Sequence, residues 1–281
     1  MAGDYQIESM TQNDVATAIE WAAREGWNPG LQDATCFYQA DLTGFFKGVL
    51  SGETVATGSA VCYDEAYAFC GLYIVAPEHR GKGYGLALTK ARLAYCGNRN
   101  VGIDGVLENV KIYERIGYEA FYENCRFHGG AKAGSAIAPA IIDLGPTSLA
   151  TIRAYDRQCF PAHRDAFLNA WLGQQEARTV AFVEDGAVKG YAVRRKCREG
   201  YKVGPLFADD AGVAGALFDA LQADIKGALI ILDTPENNPA AVSLAARYGM
   251  EKVFATARMY QKGMPDIAND KIFGITTFEL G

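Results

Sequence analysis

Histidine is scarce, with three in 281 residues, and the seven cysteines (Cys36, Cys62, Cys70, Cys96, Cys125, Cys159, Cys197) are odd in number and never fall in a C-x-x-C pair. No zinc-cluster pattern is left, so no metal is expected. A scatter of free thiols predicts a reducing, cytoplasmic compartment. Long apolar runs are missing too. The longest, near Ala228–Leu232, falls far short of the roughly 18 residues of a membrane-spanning helix. Met1–Met10 lacks the basic and apolar regions of a signal peptide. Positive charge is in deficit, 27 Lys and Arg against 33 Asp and Glu, a net charge of −6. Such a surface holds nucleic acid or an anionic membrane poorly, and neither is expected as a partner. A local basic groove for a phosphorylated ligand stays compatible with it. What remains is an ordinary globular composition, long enough for two domains at about 150 residues each.

The chain reads as two halves that repeat one layout. Gly129–Ala136 (GGAKAGSA), followed by Pro139, is small and aperiodic and suits a linker. Before it, Gly44–Leu50 and Thr54–Cys62 flank a Ser51–Glu53 turn. After it, Thr179–Glu184 and Ala187–Val193 flank Asp185-Gly186, a strong hairpin signal because Gly accepts positive φ. Each hairpin precedes a strand (Tyr67–Val75; Tyr201–Phe207), a helix, another strand and a shorter helix. These last helices end in Arg115-Ile116-Gly117-Tyr118 and Arg247-Tyr248-Gly249-Met250. Strand-like segments at Glu119–Phe127 and Lys252–Gln261 close the halves. The predicted class is α+β (mixed α/β), a tandem repeat of mixed, mostly antiparallel sheets flanked by helices. The expected boundaries are 1–130, a linker at 131–140, and 141–281.

Ala76–Gly85 (APEHRGKGYG) carries the chemistry. A glycine-rich loop between a strand and a helix start presents backbone amides and the positive end of the helix dipole, which attract phosphate. Arg80 and Lys82 add positive charge. Neither the dinucleotide G-x-G-x-x-G nor the P-loop pattern fits. R-x-x-G-x-G does, as Arg80, Gly83 and Gly85.

With that loop the sequence resembles the GNAT family of acyl-CoA-dependent N-acetyltransferases. The resemblance implies acetyl-CoA as co-substrate. Arg80, Gly81, Lys82, Gly83, Tyr84, Gly85 and Leu86 would hold its pyrophosphate, and Ile74 and Val75 would meet the acetyl and pantetheine portion. Ile112–Tyr118 (IYERIGY) resembles the family's LY-x-x-x-G-[FY] helix. There Tyr113 is the matching general acid to the departing thiolate, as a phenol of pKa near 10 can be. The family's frequent Asn, eleven residues before the helix glycine, is Val106 here.

The second half resembles the fold alone. Its Gly204–Asp210 (GPLFADD) lacks the R-x-x-G-x-G loop and carries two Asp that repel a pyrophosphate. The Tyr position is Ala245. It is expected to be a degenerate copy. In the first half, alternation along a strand places Tyr67, Phe69, Tyr73 and Val75 on one face. Trp21–Asp33 (WAAREGWNPGLQD) is the candidate acceptor region: Trp21, Trp27, Glu25, Asn28 and Asp33, with Tyr73, offer aromatic walls and carboxylates suited to a cationic amine. Tyr155-Asp156, Phe160-Pro161 and Arg164 form a second helix-start cluster that could close over the first half's cleft.

The expected activity is acetyl transfer from acetyl-CoA to a primary amine, a small metabolite, by direct attack. A non-catalytic acyl-CoA sensor and a peptide or protein amine acetyltransferase are the alternatives. The general base, the acyl chain length and the oligomeric state, including a homodimer, stay open.

Overall fold

A computed structural model of the chain describes residues 4–132, 137–145 and 149–281. Part of the expected linker, Ala133–Ala136, lies outside the described residues. In chain order, the first half comprises β1 (Tyr5–Ser9), α1 (Gln12–Arg24), α2 (Asp33–Ala40), β2 (Phe45–Leu50), β3 (Glu53–Cys62), β4 (Tyr67–Val75), α3 (Tyr84–Cys96), β5 (Asn100–Val106), α4 (Val110–Glu114) and β6 (Glu119–Gly130). The second half follows with β7 (Ile141–Leu144), α5 (Leu149–Cys159), α6 (Asp165–Leu172), β8 (Ala177–Glu184), β9 (Ala187–Lys196), β10 (Tyr201–Ala208), α7 (Ala211–Gln222), β11 (Leu229–Pro235), α8 (Pro239–Arg247), β12 (Glu251–Tyr260) and β13 (Ile272–Gly274). No helix among the described residues is long and apolar enough to cross a membrane.

Local chemistry explains the elements. Thr11 and Asp14 close a reciprocal capping box at the start of α1. Val15, Ala18, Ile19 and Ala22 then bury one face at helical spacing. Both hairpins turn through two residues of positive φ, Ser51-Gly52 and Asp185-Gly186. That is the turn whose twist matches the strands it joins.

The strands form one continuous sheet in the order β1-β2-β3-β4-β5-β12-β6-β11-β10-β9-β8-β7, with β13 against β10. The halves exchange their last long strands. β12 lies between β5 and β6, and β6 lies between β12 and β11. Helices α1, α2, α5 and α6 pack their apolar residues together on one face. On the other face, α3 and α4 cover the first half and α7 and α8 the second.

Between the helix pairs of the first face lie buried ion pairs, each joining one half to the other. Asp104 takes Arg258 in two hydrogen bonds (2.8 and 3.0 Å), and Asn124 adds a third at 2.7 Å. Arg126 grips Asp233 through two bonds of 2.7 Å. Arg195 binds Asp33 at 2.9 Å. The first two pairs are direct cross-strand neighbours, the arrangement in which opposite charges on one sheet face meet.

Candidate active site

The glycine loop takes its conformation for reasons specific to each glycine. Gly81 and Gly83 have φ of 74° and 88°, a region side chains disfavour. A Cβ on Gly85 would lie 2.0 Å from the Tyr73 hydroxyl. Gly83 is the N-cap of α3, and no side chain caps that helix. Its first-turn amides are therefore free to meet an anion. Arg80 donates from Nε to the Val75 carbonyl (2.9 Å), and its Nη2 lies 2.6 Å from Glu25 Oε1. Leu86 is exposed, whereas the Tyr84 ring is buried against Tyr5, 4.7 Å between centroids.

The strands ahead of the loop part company. β4 pairs with β5 only over Tyr67–Phe69, opposite Asn100–Gly102. Beyond Phe69 that edge of β4 has no ladder partner among the described residues. Within β4, the register passes from Ser59↔Gly71 to Thr57↔Ile74, so one residue of β3, Gly58, opposes two of β4, Leu72 and Tyr73. Leu72 is the extra residue, at φ 46°. This bulge corrects the expected alternation. Tyr67 and Phe69 pack with Phe160 and Tyr260 on the first face. Tyr73 and Val75 instead reach Gly85 of α3, and Arg92 stands 5.5 Å over the Tyr73 ring. Ile74 is turned into the α1–α2 core, so its backbone is the part that can face a donor.

Two contributors escape the sequence motifs. Arg92 continues the buried stripe Tyr84, Leu88, Arg92, Cys96 of α3 and donates to the carbonyls of Ser59 (2.7 Å) and Gly71 (3.2 Å). It thereby fixes the bulge. The signal was a lone arginine on an otherwise apolar stripe. Gly105 makes room for Tyr113, because a Cβ there would fall 2.5 Å from the phenol ring. Tyr113 lies on a helix of only five residues, preceded by a 3₁₀ turn at Leu107–Asn109. That late helix start accords with Val106 in place of Asn. Burial pushes the Tyr113 phenol above its usual range, with Asn109 opposing the shift and Tyr73 adding to it.

The second half shows the same geometry, closed. β10 and β11 pair only over Tyr201–Val203 and Ile230–Leu232 before they part. The opening is filled by β13, which pairs with β10 through Leu206 and Phe207, while the Ile275 amide donates to the Asp233 carbonyl at 2.8 Å. The predicted GPLFADD loop is also shorter than expected. Residues through Ala208 belong to β10, which leaves two residues before α7. Asp210 then takes the amides of Gly212 (2.7 Å) and Val213 (2.9 Å) as N-cap. A carboxylate therefore occupies the helix start that α3 leaves free. Composition hinted at the repulsion but gave no sign of the plug.

The chain continues from β13 into the first half. Tyr63 donates to the Leu280 carbonyl at 2.8 Å, and the Glu279 backbone packs against Gly71 of the bulge. A Cβ on Gly71 would sit 1.9 Å from the Glu279 carbonyl oxygen. Gly71→Val is therefore expected to displace this segment and lower the thermal midpoint by several degrees, roughly 1–3 kcal/mol of overpacking. An unchanged midpoint in a melt followed by circular dichroism would show that the contact bears no load.

The Trp21–Asp33 segment is held by the second half. Asn28, at φ 50°, donates to the Glu199 carbonyl and accepts from the Glu199 amide, both at 2.9 Å. Gly30 bridges to Cys197, and the Leu31 amide donates to the Lys196 carbonyl at 3.0 Å. The Trp27 carbonyl accepts from Arg126 (3.3 Å) and Lys202 (2.9 Å). Trp21 and Trp27 are half-buried against the first-face core. Asp33 is placed differently from its neighbours. It is buried, and its carboxylate is taken up by Arg195 and the Gly30 amide, so it braces the loop from beneath. In the reciprocal contact, Phe160 packs edge-on against Tyr63 (4.9 Å) and Tyr67 (5.8 Å). Arg164 and Asp156 form a buried pair behind it.

A parted strand pair that leads into a helix start is present twice, uncapped and glycine-started in the first half, plugged by β13 and carboxylate-capped in the second. Acetyltransferase (GNAT) domain models match residues 33–120 and 152–274. The chain is 31% identical over 263 residues to holothin acyltransferase of Pseudoalteromonas sp. (strain SANK 73390), which covers 93% of this chain and 90% of that one. A structure of an acetyltransferase candidate from Pyrococcus horikoshii superposes with a TM-score of 0.85 at 17% identity, over 100% of this chain and 97% of that one. A tandem GNAT protein from the clavulanic acid biosynthesis pathway gives 0.61 at 13% identity, over 92% of this chain and 98% of that one. The chain belongs to the GNAT acetyltransferase family, and it is an acyltransferase.

Proposed function

We propose that the first half transfers an acetyl group from acetyl-CoA to the primary amine of a small molecule. The observation that carries this reading is the contrast between the two helix starts. The amides of α3 have no side-chain cap and follow closely on Arg80 in the chain, whereas those of α7 are capped by Asp210. Arg80 through Leu86 would take the pyrophosphate, and the unpaired edge of β4 beyond Phe69 the pantetheine arm and acetyl carbonyl.

The amine nitrogen attacks the thioester carbonyl, the C–S bond breaks, the CoA thiolate takes the Tyr113 proton, and the proton that the nitrogen sheds as the amide forms restores the phenol by way of solvent. The nitrogen must have lost its own proton first, because an alkyl amine is only about one part in a thousand neutral at pH 7. The acceptor would enter beside Trp21, Glu25, Trp27, Asn28 and Tyr73, with Asp33 bracing the loop. The similarity to an enzyme named for acylating holothin makes holothin the first acceptor to try.

Calorimetric titration of acetyl-CoA tests the donor site. Wild type should bind, and Arg80→Ala should bind at least about tenfold more weakly, as expected on loss of a charged hydrogen bond of 1.5–3 kcal/mol. Absence of binding to wild type would overturn the reading. Thiol release with holothin and a panel of small amines and peptides then separates metabolite from peptide acceptors.

A further inference from the structure

We propose that Glu25 and the donor pyrophosphate compete for Arg80, so that donor binding frees the Glu25 carboxylate to hold the ammonium group of the acceptor. This rests on the acetyl-transfer reading above and adds a link between its two substrates. Arg80 belongs to the glycine loop and Glu25 to the acceptor region, yet their side chains meet at 2.6 Å. The guanidinium is also tethered by Nε to the Val75 carbonyl, at the end of the strand that leads into the loop. Arg80 is thus anchored at the mouth of the donor site, with one face committed to a carboxylate from the other site.

The position of Glu25 makes that commitment exchangeable. Glu25 is the C-cap of α1, where the negative end of the helix dipole disfavours a carboxylate. Both side chains are substantially exposed, 51% for Arg80 and 35% for Glu25, so the pair is weak and screened. A pyrophosphate on the α3 amides carries more negative charge than Glu25 and offers bidentate geometry to the guanidinium. Once Arg80 turns to it, Glu25 stands between a helix C-terminus and a phosphate, both repelling it. A cation is then its best partner. Two residues on, Trp27 supplies the aromatic surface that a cationic amine favours, and Asn28 holds the loop to the second half. By linkage, whatever donor binding does for acceptor affinity, acceptor binding does for donor affinity.

The test is the sign of two effects. Glu25→Gln keeps size and hydrogen bonding but removes the competing charge. Acetyl-CoA, titrated calorimetrically at low salt, should bind the variant about threefold more tightly than wild type. The KM for holothin or benzylamine should rise about tenfold in the same variant, the loss expected of a charged hydrogen bond. Weaker or unchanged donor binding overturns the competition, because a structural role for Glu25, or one in which it orients Arg80 for phosphate, predicts loss. Tighter donor binding with an unchanged acceptor KM overturns the transfer of Glu25 to the amine. Should wild type bind acetyl-CoA yet turn over neither amine, the acetyl-transfer reading falls while the donor arm still decides the competition.

Discussion

Tyr113→Phe is expected to lower kcat by about a hundredfold or more, within the range of general acid catalysis, and to leave the Kd for acetyl-CoA near its wild-type value. The phenol lies beside the parted strands, over Gly105 and close to Tyr73. The substitution removes one hydroxyl and keeps the ring that fills this space. A thiolate leaving without a proton donor has to develop its full charge in the half-closed cleft, which low local polarity makes costly. On the proposed reading, ground-state contacts with the pyrophosphate would lie in another loop and be untouched, so the loss should appear in kcat alone. The pH profile carries a second check. Burial raises the phenol above its ordinary range, so Tyr113 stays protonated through neutral and mildly alkaline pH. An alkaline fall in rate below pH 10 therefore belongs to another group, and it should persist in the variant's residual activity. Rates and Kd values from thiol-release assays and calorimetry decide this. A variant with wild-type kcat would mean that Tyr113 is only a packed aromatic.

The readable part of this protein was whatever obeyed a local rule. Asp185-Gly186, the R-x-x-G-x-G loop and the Tyr113 helix each depend on residues a few positions apart, and each falls on an element that is present: a two-residue hairpin turn, the glycine-led start of α3, and α4. The bulge at Leu72 was invisible because a leucine at φ 46° contradicts its own preference. It is held there by tertiary bonds from Arg92 and from Ser59, which accepts from the Gly71 amide at 3.0 Å. Exchange of β6 and β12 was invisible for a different reason. Their amphipathic patterns suit either neighbour, and only the assembled sheet shows which strand lies between β5 and β6. Charge pairs such as Asp33–Arg195, 162 residues apart, leave no trace in a single sequence. This explains why Asp33 reads as an acceptor residue from its neighbours yet serves as a brace beneath them.

Arg126→Met should cost about 3–5 kcal/mol of stability, the usual consequence of stripping one partner from a buried ion pair. Arg126 and Asp233 are almost wholly buried and joined by two bonds of 2.7 Å. Methionine fills part of the space but leaves the carboxylate without its main compensation. Lys202 is the nearest remedy. It too is buried, and burial together with Arg126 lowers its pKa, so removing Arg126 favours its charged form and limits the loss to the lower part of the range. Burial alone would raise the Asp233 carboxyl, but the guanidinium outweighs it and holds the group below the usual carboxylate range. The sign of the pH effect follows. A depressed carboxyl stabilises the fold above its unfolded pKa of about 3.9, and that contribution is lost as pH falls through the lower folded value. In the variant the depression disappears, so the difference between wild type and Arg126→Met should be largest near pH 7 and shrink toward pH 3. Urea denaturation at the two pH values measures it. Arg126→Met/Asp233→Leu should recover most of the loss, because an apolar pair of similar volume carries no desolvated charge. A single variant that loses less than about 1 kcal/mol would mean that this cross-half pair is solvated, and that the halves are held together by the exchanged strands rather than by the charges between them.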